Sequence, residues 1–157
     1  MKTKKNKIEK EKASAKKLVE KADLAIKHEF YLEASWILSS ILERKIGKIR
    51  EKLEPQDQGY VPTFEQSIRR LKQLHVSLAF PALNANLELT LIDQIRNWKN
   101  KRNQVLKTLA DGNVTNDRLE RLAKEGIQLY KELNKAAKYL KFQDGLSNGD
   151  GDGKSRG

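Results

Sequence analysis

The chain contains no cysteine and few histidines, and these shortages exclude several classes of function. Without cysteine there is no disulfide scaffold, no cysteine-ligated zinc site and no thiol nucleophile. The two histidines are His28 and His75, and neither has a second histidine or a carboxylate at metal-ligand spacing. We therefore expect no metal site and no cofactor, and we expect both histidines to be structural.

Long apolar runs are also missing. No stretch approaches the roughly 18 apolar residues that a membrane span needs. The basic segment Met1–Lys7 is not followed by the apolar stretch of a signal peptide. We therefore expect a cytoplasmic protein that does not interact with membranes.

Aromatic residues are sparse, at 6% of the chain. Trp36, Trp98, Phe64 and Tyr130 fall on or beside apolar helical stripes, so we expect most of them in the core. The sequence therefore predicts no exposed aromatic cluster on which nucleic-acid bases would stack.

Positive charge is abundant instead. The 157 residues include 32 lysines and arginines against 21 acidic residues, a net charge of +11. Eight of those lysines and only two acidic residues lie within the first 17 positions. Such a balance predicts an acidic partner, either a nucleic acid or an acidic protein surface, although a basic arm can also serve only solubility.

The apolar spacing is helical throughout and nowhere alternates as in a strand, so the sequence predicts an all-α bundle of about five helices. We expect a basic flexible arm at residues 1–11, a helical domain at 12–142 and a disordered Gly/Asp-rich tail at 143–157. The tail segment Gly149–Ser155 imitates a phosphate loop, but Asn148 stands where that loop needs glycine. The predicted helices cover about residues 12–27, 31–53, 63–80, 87–110 and 115–142.

Several residues mark where these helices begin, end and pack. Thr63 and Gln66 have the spacing of a capping box, and Gly112 is a natural left-handed C-cap. Asp117 suits the positive first turn of the last helix. Gly126 lies on the apolar seam of that helix, where it would allow a neighbouring helix to approach closely.

The fourth helix carries the most informative pattern. Arg102 lies four residues after Trp98 and three before Val105, so it points along the apolar stripe. A guanidinium directed at a core is costly unless it is paired or lines a polar cleft. One interpretation pairs it with Glu43 or Glu33 on the second helix as a structural ion pair. The other places Arg102 in a groove that holds phosphates, together with the basic residues Arg96, Lys99, Lys101 and Lys107. The two interpretations can coexist.

At these residues the sequence resembles the HEPN (higher eukaryotes and prokaryotes nucleotide-binding) domain family. The segment Trp98–Lys107, which contains Arg102-Asn103, is similar to the family's motif helix, in which a histidine follows the arginine after four to six positions. Tyr31–Glu43 is similar to the second helix of the family, and the segment from Ala123 to Lys141 to its closing helix. The resemblance covers roughly residues 12–142.

The resemblance implies an all-α fold, a homodimer formed across the motif helices, and RNA as the target. Active members of the family are metal-independent ribonucleases that use an Arg–His pair, and many act in defence, toxin–antitoxin or other RNA-associated complexes. This chain has Lys107 near the histidine position, and a lysine with a reference pKa of about 10.4 is protonated at neutral pH and unsuited to act as a base. The sequence therefore predicts RNA binding through Arg96, Lys99, Lys101, Arg102, Asn103 and Lys107.

Two alternatives stay open at this point. Arg102, Asn103 and Lys107 are the candidates for catalysis if ribonuclease activity remains. The other alternative is a non-enzymatic helical module that docks an acidic protein partner.

Overall fold

A computed structural model describes residues 2–55 and 59–147, with the side chains of all of them except residue 2 and residues 141–147. The residues in these two ranges form six α-helices and no β-strand, which confirms the all-α prediction. The helices are α1 (Lys2–Lys27), α2 (Tyr31–Leu53), α3 (Phe64–Ser77), α4 (Pro81–Asn86), α5 (Leu89–Ala110) and α6 (Asn116–Ser147).

The first helix begins ten residues earlier than the sequence predicts. Residues 2–11, expected as a flexible arm, are helical and continuous with the rest of α1. The reason is local, because this segment contains no glycine or proline and consists mainly of lysine and glutamate, which have high helix propensity. The lysine-rich segment therefore forms the first turns of α1.

The short helix α4 is the additional element. The sequence predicts only a break at Phe80-Pro81, but Pro81 is the first residue of a six-residue helix. Proline suits that position because its φ angle is already helical and its missing N–H would have no partner there.

Several predicted helix ends agree with the structure, although α3 ends at Ser77 and not near residue 80. Thr63 caps α3 through a complete capping box with Gln66, in which each side chain accepts a hydrogen bond from the other residue's backbone N–H. Gly112 follows α5 with φ of 77°, and the Thr115 hydroxyl accepts from the Arg118 N–H at the start of α6. Asp117 lies in the first turn of α6, as predicted.

The chain separates into two compact units. The first comprises Met1–Arg44 and Gln94–Tyr130. Trp98 is its largest fully buried side chain, and its indole N–H donates to the Leu122 carbonyl at 2.8 Å. A Cβ atom built at Gly126 would lie 2.5 Å from the Trp98 ring, so the close approach predicted at this glycine is confirmed.

The second unit comprises Lys45–Asp93 and Lys131–Gly157, and it is described as far as residue 147. Its polar contacts include a two-pronged ion pair in which Arg70 Nε and Nη2 donate to Glu54 at 2.6 and 2.7 Å. Lys72 pairs with Asp93 at 2.7 Å. Its fully buried side chains include Ile46, Ile68, Leu71, Leu83, Leu87, Ile92 and Leu133.

The expected C-terminal tail lies mostly outside the described residues. Helix α6 continues to Ser147, a few residues into the predicted tail of 143–157. Residues 148–157, with the segment that imitates a phosphate loop, are not among those described. None of the described helices is long and apolar enough to cross a membrane.

Candidate functional site

Arg102 points into the first unit, as its position on α5 predicts. Only 8% of the residue is exposed. Its Nη1 donates to Asn103 Oδ1 at 3.3 Å, while its Nε is buried and finds no hydrogen-bond partner within the described residues. Burial lowers the pKa of Arg102, because desolvation disfavours the charged form. An arginine still remains charged at neutral pH, so the site holds a buried positive charge.

The carboxylate expected to pair with Arg102 pairs with another cation. Glu43 forms an ion pair with Lys99, and no ion pair to Arg102 occurs in the described part of the chain. Lys99, and not Arg102, pairs with Glu43 for a geometric reason. Residues 99 and 102 are neighbours one turn apart on α5, so both side chains can extend towards α2, and it is the Lys99 ammonium group that reaches Glu43. Burial, and then the charge of Arg102, lower the pKa of Lys99.

The neighbour of Arg102 is instead an exposed aromatic ring. The guanidinium carbon of Arg102 lies 5.6 Å from the centroid of the Trp36 ring, within the range of a cation–π contact. Trp36 is 66% exposed, so its expected place in the core is wrong, whereas that of Trp98 is confirmed. We call Trp36, Arg102 and Asn103 the Trp36–Arg102 site.

The exposure of Trp36 follows from the geometry of α2. The buried face of this helix passes through Leu38 and Ile41. Residue 36 is two positions from Leu38, which turns it about 160° away around the helix axis. The angular position of residue 36 relative to the apolar face of α2 is a signal in the sequence that identifies Trp36 as an outward-facing aromatic residue.

The other predicted cations do not all gather at this site. Lys99 lies one turn before Arg102 on α5. Lys101 pairs with Glu125 of α6 at 3.2 Å and so faces a different helix. Arg96 and Lys107 are exposed. The structure therefore brings together Arg102, Asn103 and Lys99, while the remaining cations are distributed around α5.

A second basic surface of the same unit lies along α1. Lys7, Lys10 and Arg44 line an open groove of about 580 Å³, in which Glu11 is the one acidic residue among the described lining. Arg44 is exposed, as are Trp36 and Ser40 on the same helix. These three residues are spaced by four, so they lie along one side of α2 over about 12 Å. The exposed indole of Trp36 therefore lies on the same side of α2 as Arg44, which lines the basic groove.

The comparisons with known proteins give no identification: no family model, no curated protein and no solved structure matches this chain. Within the described residues, no group of three or more histidines, aspartates or glutamates is placed to hold a metal ion. An outward-facing indole over a buried cation offers a flat surface for an aromatic ligand and positive potential for an anion.

Proposed function

We propose that this chain binds single-stranded RNA at the Trp36–Arg102 site. One observation carries the proposal: an indole that is 66% exposed has a guanidinium carbon 5.6 Å from its centroid, in a chain of net charge +11. Nucleic-acid bases stack on exposed aromatic rings, and cations bind the phosphates that connect them. RNA supplies both groups in a regular alternation.

Each part of the site has its own role in this proposal. Trp36 provides the surface on which a base stacks. Arg102 holds the indole in its outward position and contributes positive charge from beneath it. Phosphates beside the stacked base contact exposed cations, with Arg44, on the side of α2 that carries Trp36, as the candidate in this unit.

The basic groove along α1 extends the binding path. Trp36 and Arg44 are separated by about 12 Å along α2, which corresponds to a few nucleotides of extended single strand. Lys7 and Lys10 line the same groove as Arg44. Contacts of this kind read the phosphate backbone, so we expect little dependence on base sequence and a strong dependence on salt.

The HEPN resemblance supports RNA as the ligand and implies a homodimer within a defence, toxin–antitoxin or RNA-associated complex. We propose binding without turnover, because Lys107 stands near the position where active members have histidine. RNA incubated with the protein and EDTA should therefore stay intact. Release of 2′,3′-cyclic phosphate ends that is lost in both Arg102→Ala and Lys107→Ala would instead establish a ribonuclease.

The binding test is a fluorescence titration of a labelled single-stranded RNA decamer with nucleic-acid-free protein. We expect Trp36→Ala to weaken binding about tenfold at 50 mM salt, because loss of one stacked base costs about 1–3 kcal/mol. Phe30→Ala is the matched control, since Phe30 is an aromatic residue of the same unit with 60% exposure. Binding by the parent protein should weaken steeply between 50 and 200 mM salt.

The outcome decides the proposal in either direction. No binding of RNA at low salt would exclude it. An equal loss of affinity in Phe30→Ala and Trp36→Ala would show that the contact is a nonspecific property of the surface. Indifference to RNA together with capture of one acidic protein would favour the interaction-module alternative.

A further inference from the structure

Helix α6 carries a row of exposed lysines in the second unit, which has no role in binding at the Trp36–Arg102 site. Lys131, Lys135 and Lys138 are all exposed and belong to the segment Lys131–Gly157. Positions spaced by four and then three residues fall within about 60° around a helix axis and extend over about 10 Å along it. The three side chains therefore leave α6 on one side.

These three lysines are available to a ligand. None of them forms a hydrogen bond or an ion pair through its side chain with another residue in the described part of the chain. Glu132 is the only acidic residue between Gly126 and Leu140, and it is exposed and takes no part in an ion pair there either. Like charges three and four residues apart repel each other along a helix, so the row of lysines is unfavourable for α6 alone. An anion that spans the row removes this repulsion.

An exposed aromatic ring lies beside the row of lysines. Tyr139 is 52% exposed and follows Lys135 by four residues, so the two side chains are neighbours on the surface of α6. Among the described side chains of α6, Tyr139 is the only large apolar one that is exposed. We call Lys131, Lys135, Lys138 and Tyr139 the α6 stripe.

The composition of the α6 stripe restricts the class of partner. A membrane surface or another protein is bound through several large apolar side chains, and the stripe offers one. A row of cations beside an aromatic ring is instead typical of surfaces that bind single-stranded nucleic acid, because the cations follow the phosphates and the ring stacks on a base. A length of about 10 Å corresponds to a few nucleotides of such a strand.

We propose that the α6 stripe is a second contact surface for single-stranded RNA, in which the three lysines bind successive phosphates and Tyr139 stacks on a base. This proposal rests on the RNA binding proposed above and assigns to it a surface in the second unit, whereas the Trp36–Arg102 site belongs to the first. Separate segments of one long strand then contact both units of the chain, and both contacts contribute to its affinity.

The first test measures how the affinity of the full-length protein for a labelled single-stranded RNA of 30 nucleotides depends on salt. Each phosphate contact with a single strand contributes about 0.7 to the slope of log K against log salt concentration. Lys131→Gln/Lys135→Gln/Lys138→Gln should therefore reduce the magnitude of the slope by about 2 and weaken binding about tenfold at 50 mM salt. The difference from the parent protein should shrink as the salt concentration rises.

Lys12→Gln/Lys21→Gln/Lys27→Gln is the matched control for net charge. It removes the same charge from three exposed lysines of α1 that do not share one side of that helix. It should change the slope by less than about 1. An equal reduction of the slope in both triple variants would show that only the net charge matters, and this result would overturn the proposal. An unchanged slope in the α6 triple variant would do the same.

The second test separates stacking from charge. Tyr139→Ala should weaken the binding of the same RNA about tenfold, whereas Tyr139→Phe should bind it within about twofold of the parent protein, because stacking needs the ring and not the hydroxyl group. Neither variant should change the binding of poly-L-glutamate, an acidic polymer without bases. Unchanged RNA affinity in Tyr139→Ala, or equal losses of affinity for RNA and polyglutamate, would overturn the proposal.

Trp36→Ala, measured with the same 30-nucleotide RNA, distinguishes this proposal from the proposed function. A loss of affinity in Trp36→Ala but not in the α6 variants would overturn the α6 stripe alone. A loss in the α6 variants but not in Trp36→Ala would support the stripe and exclude the Trp36–Arg102 site. If the parent protein does not bind the RNA at 50 mM salt, both proposals are excluded.

Discussion

The Arg102 guanidinium lies against the Trp36 ring, with 5.6 Å between the guanidinium carbon and the ring centroid, and Trp36 covers it from the solvent side. The contact joins α2 to α5 within the first unit. It combines a buried cation whose Nε has no hydrogen-bond partner in the described residues with an aromatic ring that is mostly exposed. An arrangement that leaves a buried donor unpaired is unfavourable for stability, which is why we assign it to function.

The first prediction is that Arg102→Met stabilises the fold while it weakens RNA binding. An unpaired buried donor costs about 1–3 kcal/mol. A cation–π contact with an exposed ring contributes about 0.5–1 kcal/mol to the stability of the fold. Methionine replaces the aliphatic part of arginine and needs no hydrogen-bond partner, so we expect the free energy of unfolding in urea to rise by about 1 kcal/mol.

Lys107→Met is the control for this substitution, because it removes an exposed cation from the same helix. Its effect on the free energy of unfolding should stay within about 0.5 kcal/mol. Strong destabilisation by Arg102→Met would show that the arginine is a structural residue. Unchanged RNA affinity in a stabilised Arg102→Met protein would remove it from the binding site.

The second prediction concerns the close contact at Gly126. Gly126→Ala would place a Cβ atom 2.5 Å from Cζ2 of Trp98, a ring that is fully buried and hydrogen-bonded to Leu122. Overpacking of this kind costs about 1–3 kcal/mol, against a gain in helix propensity of about 1 kcal/mol. We expect a net loss of up to about 2 kcal/mol in the free energy of unfolding.

Gly47→Ala should change the free energy of unfolding in the opposite direction. Gly47 is also helical, and a Cβ atom built there meets nothing within 4 Å. This variant should be stabilised by up to about 1 kcal/mol in the same urea titration. If Gly126→Ala raises the midpoint as Gly47→Ala does, the contact between Gly126 and Trp98 does not limit stability.

The third prediction concerns the turn between α1 and α2. Glu29 has φ of 62°, and the Phe30 N–H donates to the Ala25 carbonyl while the Glu29 N–H donates to that of Ile26. This is a Schellman motif, whose left-handed position favours glycine. Glu29→Gly should raise the thermal midpoint, because it relieves a left-handed conformation that costs about 1 kcal/mol. Glu29→Ala keeps the Cβ atom and should bring no such gain.

The fourth prediction is a pH dependence that arises from Glu54. The hydrogen bonds and charge of Arg70 hold the pKa of Glu54 below its ordinary value. The unfolded chain therefore binds a proton at a higher pH than the folded one does. The stabilisation is fully present above about pH 4.3, the reference value for glutamate, and it is lost as the pH falls through the lower folded pKa.

This pH-dependent stabilisation is small because both side chains are partly exposed, at 42% for Arg70 and 26% for Glu54. We expect about 1 kcal/mol or less. Urea titrations between pH 3 and pH 7 should show this slope in the parent protein and a reduced slope in Glu54→Gln. Arg70→Gln should reduce the slope by the same amount, and the double variant should reduce it no further. Additive effects would mean that the two residues act independently.

Much of the fold was predictable because it depends on local chemistry. The capping box of Thr63 and Gln66 and the left-handed Gly112 are properties of a few consecutive residues. The inward position of Arg102 follows from its spacing to Trp98 and Val105 on one helix. The close contact at Gly126 follows from the absence of a side chain on an otherwise apolar seam.

Other features were not predictable because the local sequence is compatible with more than one structure. The lysine-rich segment before residue 12 reads equally as a solvated arm or as a helix, and α1 includes it. Glu29 adopts a left-handed conformation that its residue type does not favour. An apolar pocket of the second unit, lined by Ile49, Pro81 and Leu140, is formed by three helices that are distant in sequence, so no single segment indicates it.

The sequence by itself determined an all-α chain, most of its helix ends, its excess of positive charge and the inward direction of Arg102. Only the tertiary structure decided that Trp36, and not Glu43, lies against that arginine. Periodicity fixes the angle of each side chain about its own helix axis. The rotation and separation of the neighbouring helix come from the packing of whole faces, and these decide which of two nearby side chains a buried charge meets.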